Sequence, residues 1–163
     1  MITVVIKDKF DLGYILELED GREGQLRATE MKGDCLQIHV EGREKELFGQ
    51  RIEVYIILDI GNQVLFSQFS EEERAQRDRE FELKRAAVKS CKLKEEFDAE
   101  IIKAFDWGYV FKQVSGYLES AITNENVPKE TCLTIGKLVK VKVIGFNERA
   151  YPIFTINTEQ ENA

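Results

Sequence analysis

"AFDWGYVF", residues 104–111, decides the fold, because residues 9–16 already read "KFDLGYIL". Phe-Asp-x-Gly-Tyr returns 95 residues later, from Phe10 to Phe105, in a chain of only 163. Self-similarity of this kind has to be traced before any element is assigned. Upstream of the first copy, Ile2, Val4 and Ile6 alternate with other residues; upstream of the second, Phe97, Ala99 and Ile101 do so, with Asp98 and Glu100 between them. That period of two is the mark of a half-buried strand. Asp-x-Gly then suits a tight turn, since Asp can bond its own backbone and Gly tolerates positive φ.

After the turn, "YILEL" (14–18) and "YVFK" (109–112) read as a second strand. Alternation puts Tyr14, Leu16 and Leu18 on one face and Tyr109 and Phe111 on the equivalent one, which predicts core or hairpin packing for these rings. Next, Gly24-Gln25-Leu26 aligns with Gly116-Tyr117-Leu118, "FGQRIEVYII" (48–57) with "IGKLVKVKVI" (135–144), and "VLFS" (64–67) with "PIFT" (152–155). The offsets are 92, 87 and 88, so element order is kept while loops change length. Each copy predicts five short strands, with a long connection between strands three and four at residues 28–47 and 119–134. Neither copy shows a helical period. Five strands with one long crossing suit a small closed barrel of the oligonucleotide/oligosaccharide-binding (OB) type.

Between the copies, "FSEEERAQRDREFELKRAAVKSCK" (69–92) reads as a helix. Ser70 and Glu73 form a capping box, acidic residues crowd the first turn and basic ones the last. Glu73–Arg77 and Glu80–Lys84 have the favourable i,i+4 order. Phe81 and Val88 are expected to touch a barrel. The fold class is therefore all-β: two five-stranded OB-fold barrels, residues 1–69 and 95–158, joined by a helical linker, 70–94.

The ordered set of motifs resembles the S1 RNA-binding domain of ribosomal protein S1 and many RNA-processing proteins. "EDGREGQL" and "DIGNQVLFS" are the most specific pieces of the first copy; "WGYV", "SGYLESAI" and "IGKLVKVKVIGFN" carry the second. The resemblance implies barrels that bind single-stranded RNA through two aromatics near strand two, a His after strand three, and an Asp and an Arg around the last turn. Residue by residue, the first aromatic becomes Leu12 and Trp107, and the second Ile15 and Val110. The His becomes Arg27 and Glu119, and the Asp becomes Asp59 and Asn147. The Arg becomes Gln63 in copy one and has no basic counterpart in copy two. Base stacking on an aromatic contributes about 1–3 kcal/mol, so copy two, with Trp107, is the expected RNA-binding half. Lys112, Lys140 and Lys142 on its strands, with Arg85 and Lys89 on the linker, are the expected phosphate contacts; Lys140 and Lys142 read equally as a solvated strand face. Arg27 is the candidate in copy one.

Charge tempers this. The net charge is −7, and residues 1–69 hold 8 basic against 13 acidic side chains. Non-specific nucleic-acid affinity comes from Lys and Arg neutralising phosphates, so the balance counts against a strong binder. The leading expectation is a non-catalytic protein that binds single-stranded RNA modestly, an accessory of translation or RNA metabolism. The alternative is a protein-interaction module whose barrels have lost RNA binding and dock on a ribosomal, polymerase or other basic partner. His39 is the one histidine and has no triad or metal partner at a recognised spacing. No phosphate-cradling glycine loop occurs. Neither an enzyme, a metal nor a cofactor is expected. Cys35, Cys91 and Cys132 show no ligand spacing and read as reduced thiols. With no apolar run of about 18 residues and no leader, a cytoplasmic location with no membrane partner is expected.

Overall fold

The structure, a computed structural model, describes residues 1–157, so the expected end of the second domain at Thr158 lies outside the described residues. The chain divides into two compact units, Met1–Gln76 and Arg77–Ala163.

In the first unit, β1 (Ile2–Phe10), β2 (Gly13–Glu17), β3 (Glu23–Arg27), β4 (Arg51–Ile60) and β5 (Gln63–Ser67) close into an OB-like barrel in the order β1-β2-β3-β5-β4. Alternation fills it: Val4, Ile6, Tyr14, Leu16, Leu26, Val54 and Phe66 point inward and are at most 2% exposed. One helix in this unit departs from the sequence reading. The connection between β3 and β4 contains α1 (Gly33–Val40), which brings Cys35 into the core with Leu36 and Ile38 packed against it. Its apolar residues do not keep a helical stripe, and Val40 stays 76% exposed, which is why no period announced it.

α2 (Glu71–Ser90) follows. The capping box forms in both directions: Ser70 N–H donates to Glu73 Oε2 at 2.7 Å, and Glu73 N–H to Ser70 Oγ at 3.2 Å. Glu73 also receives Lys32 Nζ at 2.9 Å, and Lys84 donates to Glu119 at 2.6 Å. Ala87 and Val88 pack on the second unit's core, whereas Phe81, expected against a barrel, is 64% exposed.

The second unit repeats the first with β6 (Glu96–Phe105), β7 (Gly108–Gln113), β8 (Glu119–Thr123), β9 (Leu138–Phe146) and β10 (Pro152–Asn157), in the order β10-β9-β6-β7-β8. Its irregularities fall where the first unit has them. The β1–β2 ladder slips between Ile6 and Asp8, and β6–β7 between Ile101 and Lys103. The β4–β5 ladder slips between Ile56 and Leu58, and β9–β10 between Val143 and Gly145. A bulge bends a strand at a defined point, so its recurrence at equivalent positions marks a structural repeat.

Two sequence expectations are corrected. First, the third strand of copy two is not at residues 116–118. Gly13 pairs with Arg27 and Gly108 with Thr123, so β8 corresponds to β3 at an offset of 96, not 92. The predicted long connection 119–134 therefore begins with a strand. Gly24 and Gly116 share a letter but not a role: Gly24 is buried within β3, while Gly116 lies in the turn before β8. Second, the second sheet is not closed: β8 and β10 form no ladder among the described residues.

One residue of the first seam has no counterpart in the second. A Cβ on Gly24 would lie 2.4 Å from Phe66 Cε2 and 2.7 Å from Val64 O. Only a residue without Cβ lets β3 approach β5 closely enough for the parallel pairs Gln25↔Leu65 and Leu26↔Phe66. Offset by 96, the equivalent residue is Ser120. The far end of the seam is pinned alike in both units: Ser67 Oγ donates to Glu30 Oε2 at 2.5 Å, and Thr155 Oγ1 donates to Asn126 O at 2.6 Å.

Candidate nucleic-acid interface

In OB folds the face of strands two and three, framed by the 1–2 and 4–5 turns, is the surface used for oligonucleotides. The two units present different chemistry there.

In the second unit the 1–2 turn carries Trp107, 51% exposed and stacked on Phe105 with centroids 5.2 Å apart and planes at 6°. The turn is fixed from below. Asn124 N–H donates to Trp107 O at 3.0 Å, and Asn124 Nδ2 donates to Asp106 O at 2.7 Å. A Cβ on Gly108 would sit 2.2 Å from Ile122 O, so this glycine lets the hairpin close on β8. One face of the indole is covered by Phe105 and the ring as a whole is half exposed. Along β7 and β8, Val110 and Ala121 continue the surface outward, with Lys103 opposite Val110 on β6. Lys103 and Lys112 make no ion pair among the described residues.

At the 4–5 turn, register places Phe146 opposite Pro152 as it places Asp59 opposite Val64. The Asp position of the S1 pattern thus falls on Phe146 rather than Asn147, and the Arg position, Gln63 in copy one, falls on Tyr151. Both rings are exposed. Asn147 instead holds the turn together. Its Oδ1 accepts from Arg149 N–H at 2.9 Å and Tyr151 N–H at 3.0 Å, which locks the loop that presents Tyr151. The His position, at offset 96, falls on Thr123 and not Glu119. Chemistry hid Phe146 and Tyr151, since the pattern asks for an acid and a base there; the β4–β9 offset of 87 becomes 88 at β10, so the second 4–5 turn is one residue longer and Asn147 falls inside it.

The remaining expected cations do not gather at Trp107. Lys140 lies 3.6 Å from Asp98 and Lys142 3.2 Å from Glu96, each pair facing across the β6–β9 ladder. Arg85 lies 3.8 Å from Glu82 on its own helix, and Lys89 sits in the last turn of α2, where a cation favours the helix dipole. The helix meets β8 through Lys84 at Glu119, four residues along the strand from Thr123, which pairs beside the Trp107 turn. At about 3.4 Å per residue that is roughly 14 Å.

In the first unit the same face is a groove of about 250 Å³ whose lining includes Ile15, Glu23, Gln25, Arg27, Gln63 and Leu65. Leu12, at the position of Trp107, is 60% exposed. The bordering acids are bridged: Lys7 Nζ reaches Glu17 at 2.7 Å and Glu23 at 2.6 Å, and Arg22 reaches Asp20 and Asp59, both at 2.8 Å. These hydrogen bonds hold Lys7 well above the ordinary ammonium range. Arg27, exposed at the end of β3, makes no ion pair among the described residues.

No family model and no curated protein matches the chain. Among solved structures it is similar to a multidomain protein with nucleic acid binding domains from Streptococcus pneumoniae TIGR4, at 12% identity and a TM-score of 0.35, over 95% of this chain and 50% of that one. The chain thus spans half the length of that relative. At that distance function has to be argued from the residues themselves. No helix among the described residues is long and apolar enough to cross a membrane.

Proposed function

We propose that this is a non-catalytic nucleic-acid-binding protein that takes single-stranded RNA on the strand 2–3 face of its second unit. The observation that carries the reading is the exposed Phe105–Trp107 stack on a turn locked by Asn124, with Lys103 two residues before Phe105 on the same hairpin and Lys112 at the far end of β7, opposite Glu100 and Glu119. Stacking on a fixed ring is tolerant of sequence, because every base has a π-face. With two free cations to neutralise phosphates, affinity falls gently with salt, by about 1.4 logarithmic units per tenfold increase. Most of the remaining cations named from the sequence are engaged in ion pairs, so binding is modest. Participation in translation or RNA metabolism in the cytoplasm is part of this proposal.

Trp107 is the single tryptophan, so its emission is a direct reporter. Titration with short single-stranded RNA at low salt is expected to quench it. In an anisotropy titration, Trp107→Ala should weaken binding about 5- to 150-fold, matching one lost stack of roughly 1–3 kcal/mol, and Trp107→Phe should recover part of it. No binding at about 100 μM RNA, the weak end of the non-specific range, overturns the reading. A protein partner captured through this face and retained after nuclease treatment would replace it with the docking alternative.

A further inference from the structure

Phe81 stays 64% exposed in the middle of α2, although burying a phenyl ring is among the larger gains a side chain can make. Its neighbours on the helix surface follow from about 100° of turn per residue. Arg77, one turn before, lies about 40° to one side of the ring, and Arg85, one turn after, about 40° to the other. Glu80 and Glu82 point about 100° away on either side, and Asp78 borders the patch at about 60°. The ring thus sits between two guanidinium groups on a cationic face, in a chain of net charge −7. Residues 77–85 all belong to the second unit.

This face adjoins the strands of the stacking site. Lys84, one turn past Phe81, donates to Glu119 at 2.6 Å, and Glu119 pairs across the ladder with Lys112 at the end of β7. A nucleic-acid strand that leaves Trp107 along β7 and β8 and passes Lys112 therefore arrives at α2. Arg85 lies 3.8 Å from Glu82, and both side chains are more than half exposed. A surface pair of that kind is weak, so phosphate can displace it. A second copy of the chain fits badly here, because a helix pair with its two-fold axis at Phe81 sets Arg77 against the partner's Arg85. A polyanion meets no such repulsion. Aromatic rings and guanidinium planes are both platforms for the unstacked bases of single-stranded RNA.

We infer that the Phe81 face of α2 is a second contact for the same RNA strand: Phe81 takes a base further along than the one on Trp107, and Arg77 and Arg85 take the flanking phosphates. This rests on the nucleic-acid reading above, carries it off the barrel and adds residues that reading does not use.

The test titrates the full chain with fluorescein-labelled oligouridylates of three and twelve nucleotides, read by anisotropy and by Trp107 quenching. The trimer, about 10 Å long when stacked, covers the Trp107 site alone, whereas the dodecamer reaches both. In wild type, log affinity should fall with log salt by about 1.4 for the trimer and about 2.8 for the dodecamer, at about 0.7 per phosphate contact. Phe81→Ala, a change that favours helix, should weaken the dodecamer at least about fivefold, the lower end of one stacked base, and leave the trimer within twofold. Arg77→Gln with Arg85→Gln should return the dodecamer's salt slope to that of the trimer. A dodecamer indifferent to these substitutions, or an equal loss at both lengths, would overturn the inference, while quenching of Trp107 by the trimer keeps the stacking proposal. Dodecamer binding that needs Phe81 but leaves Trp107 unquenched would overturn the stacking proposal and keep α2 as an RNA contact. No binding at either length overturns both. Polyglutamate that displaces the dodecamer as well as unlabelled RNA does would assign the face to an acidic protein and overturn the inference.

Discussion

Replacing Gly24 with alanine adds one methyl group to 163 residues, and the structure says it should open the first barrel. The new Cβ would meet Phe66 Cε2 at 2.4 Å, Val64 O at 2.7 Å and Val64 Cβ at 2.8 Å. The carbonyl is backbone and cannot rotate away. Phe66 is 1% exposed and Val64 3% exposed, so neither side chain has space to retreat into. Overpacking of this sort costs about 1–3 kcal/mol. The only relief is for β3 and β5 to separate, which gives up the pairs at Gln25↔Leu65 and Leu26↔Phe66. A loss of roughly 2–3 kcal/mol would lower the melting temperature of a domain this size by about 8–24 °C. Urea titration monitored by far-ultraviolet circular dichroism gives the free energy, and amide exchange at Leu26 and Phe66 locates it. Trp107 emission reports the second unit, so a shift confined to the first unit leaves that signal in place. Ser120→Gly is the reciprocal change: it removes the Cβ from the open seam and should raise amide protection in β8 and β10. A Gly24→Ala protein that melts within about 2 °C of wild type with unchanged exchange in β3 and β5 would refute the reasoning.

Three further outcomes are expected. The Glu73 carboxylate is held below its ordinary range chiefly by Lys32 and then by the Ser70 N–H; a depressed folded pKa stabilises above the ordinary carboxylate range and is lost as pH falls through the depressed value. Glu73→Gln should therefore flatten that acidic limb of the helicity–pH curve, and Ser70→Ala should lower stability by about 1 kcal/mol in urea. Burial pushes the Cys35 thiol up to about 11, whereas Cys132 is exposed, so in native protein near pH 8 a thiol reagent should modify Cys132 readily and Cys35 only after unfolding, as read by peptide mapping.

The alternating strands were legible because a period of two is written directly in which residues are apolar: Val4 and Ile6, Ala99 and Ile101 are all buried. The Asp-x-Gly corners and the capping box were legible because each is a local device completed within a few residues. What failed were inferences that needed pairing across the chain. Gly24 was aligned with Gly116 by identity, although the first is small to admit Phe66 and the second lies in a turn whose added Cβ would meet Gln113. Closure depends on the residue facing β5 or β10, and no single strand records that. The Lys140 and Lys142 pair looked like a basic face because their partners, Asp98 and Glu96, lie more than forty residues upstream.

The same misalignment hid how far the two interfaces have diverged. Once β8 is set at an offset of 96, the first unit has Ile15, Gln25, Arg27 and Gln63 where the second has Val110, Ala121, Thr123 and Tyr151, and every polar side chain longer than threonine is on one side of the comparison apart from the tyrosine. Residues that point outward from a shared frame are free of core packing, so they can change without cost to the fold. Inward residues show the opposite behaviour: Tyr14 and Tyr109, Leu16 and Phe111, and Phe66 and Phe154 stay bulky and apolar. Gly24 and Ser120 are the exception that joins the two levels. In the first unit the missing Cβ of Gly24 lets the strand bearing Gln25 lie against the strand bearing Gln63. Gly24→Ala should therefore part these two strands as well as lower the barrel's stability. The stacking ring sits on the β6–β7 turn, held by the β7–β8 pairing at Gly108 and by Asn124 just after β8, so leaving β8 and β10 without a ladder still keeps the contacts that fix Trp107.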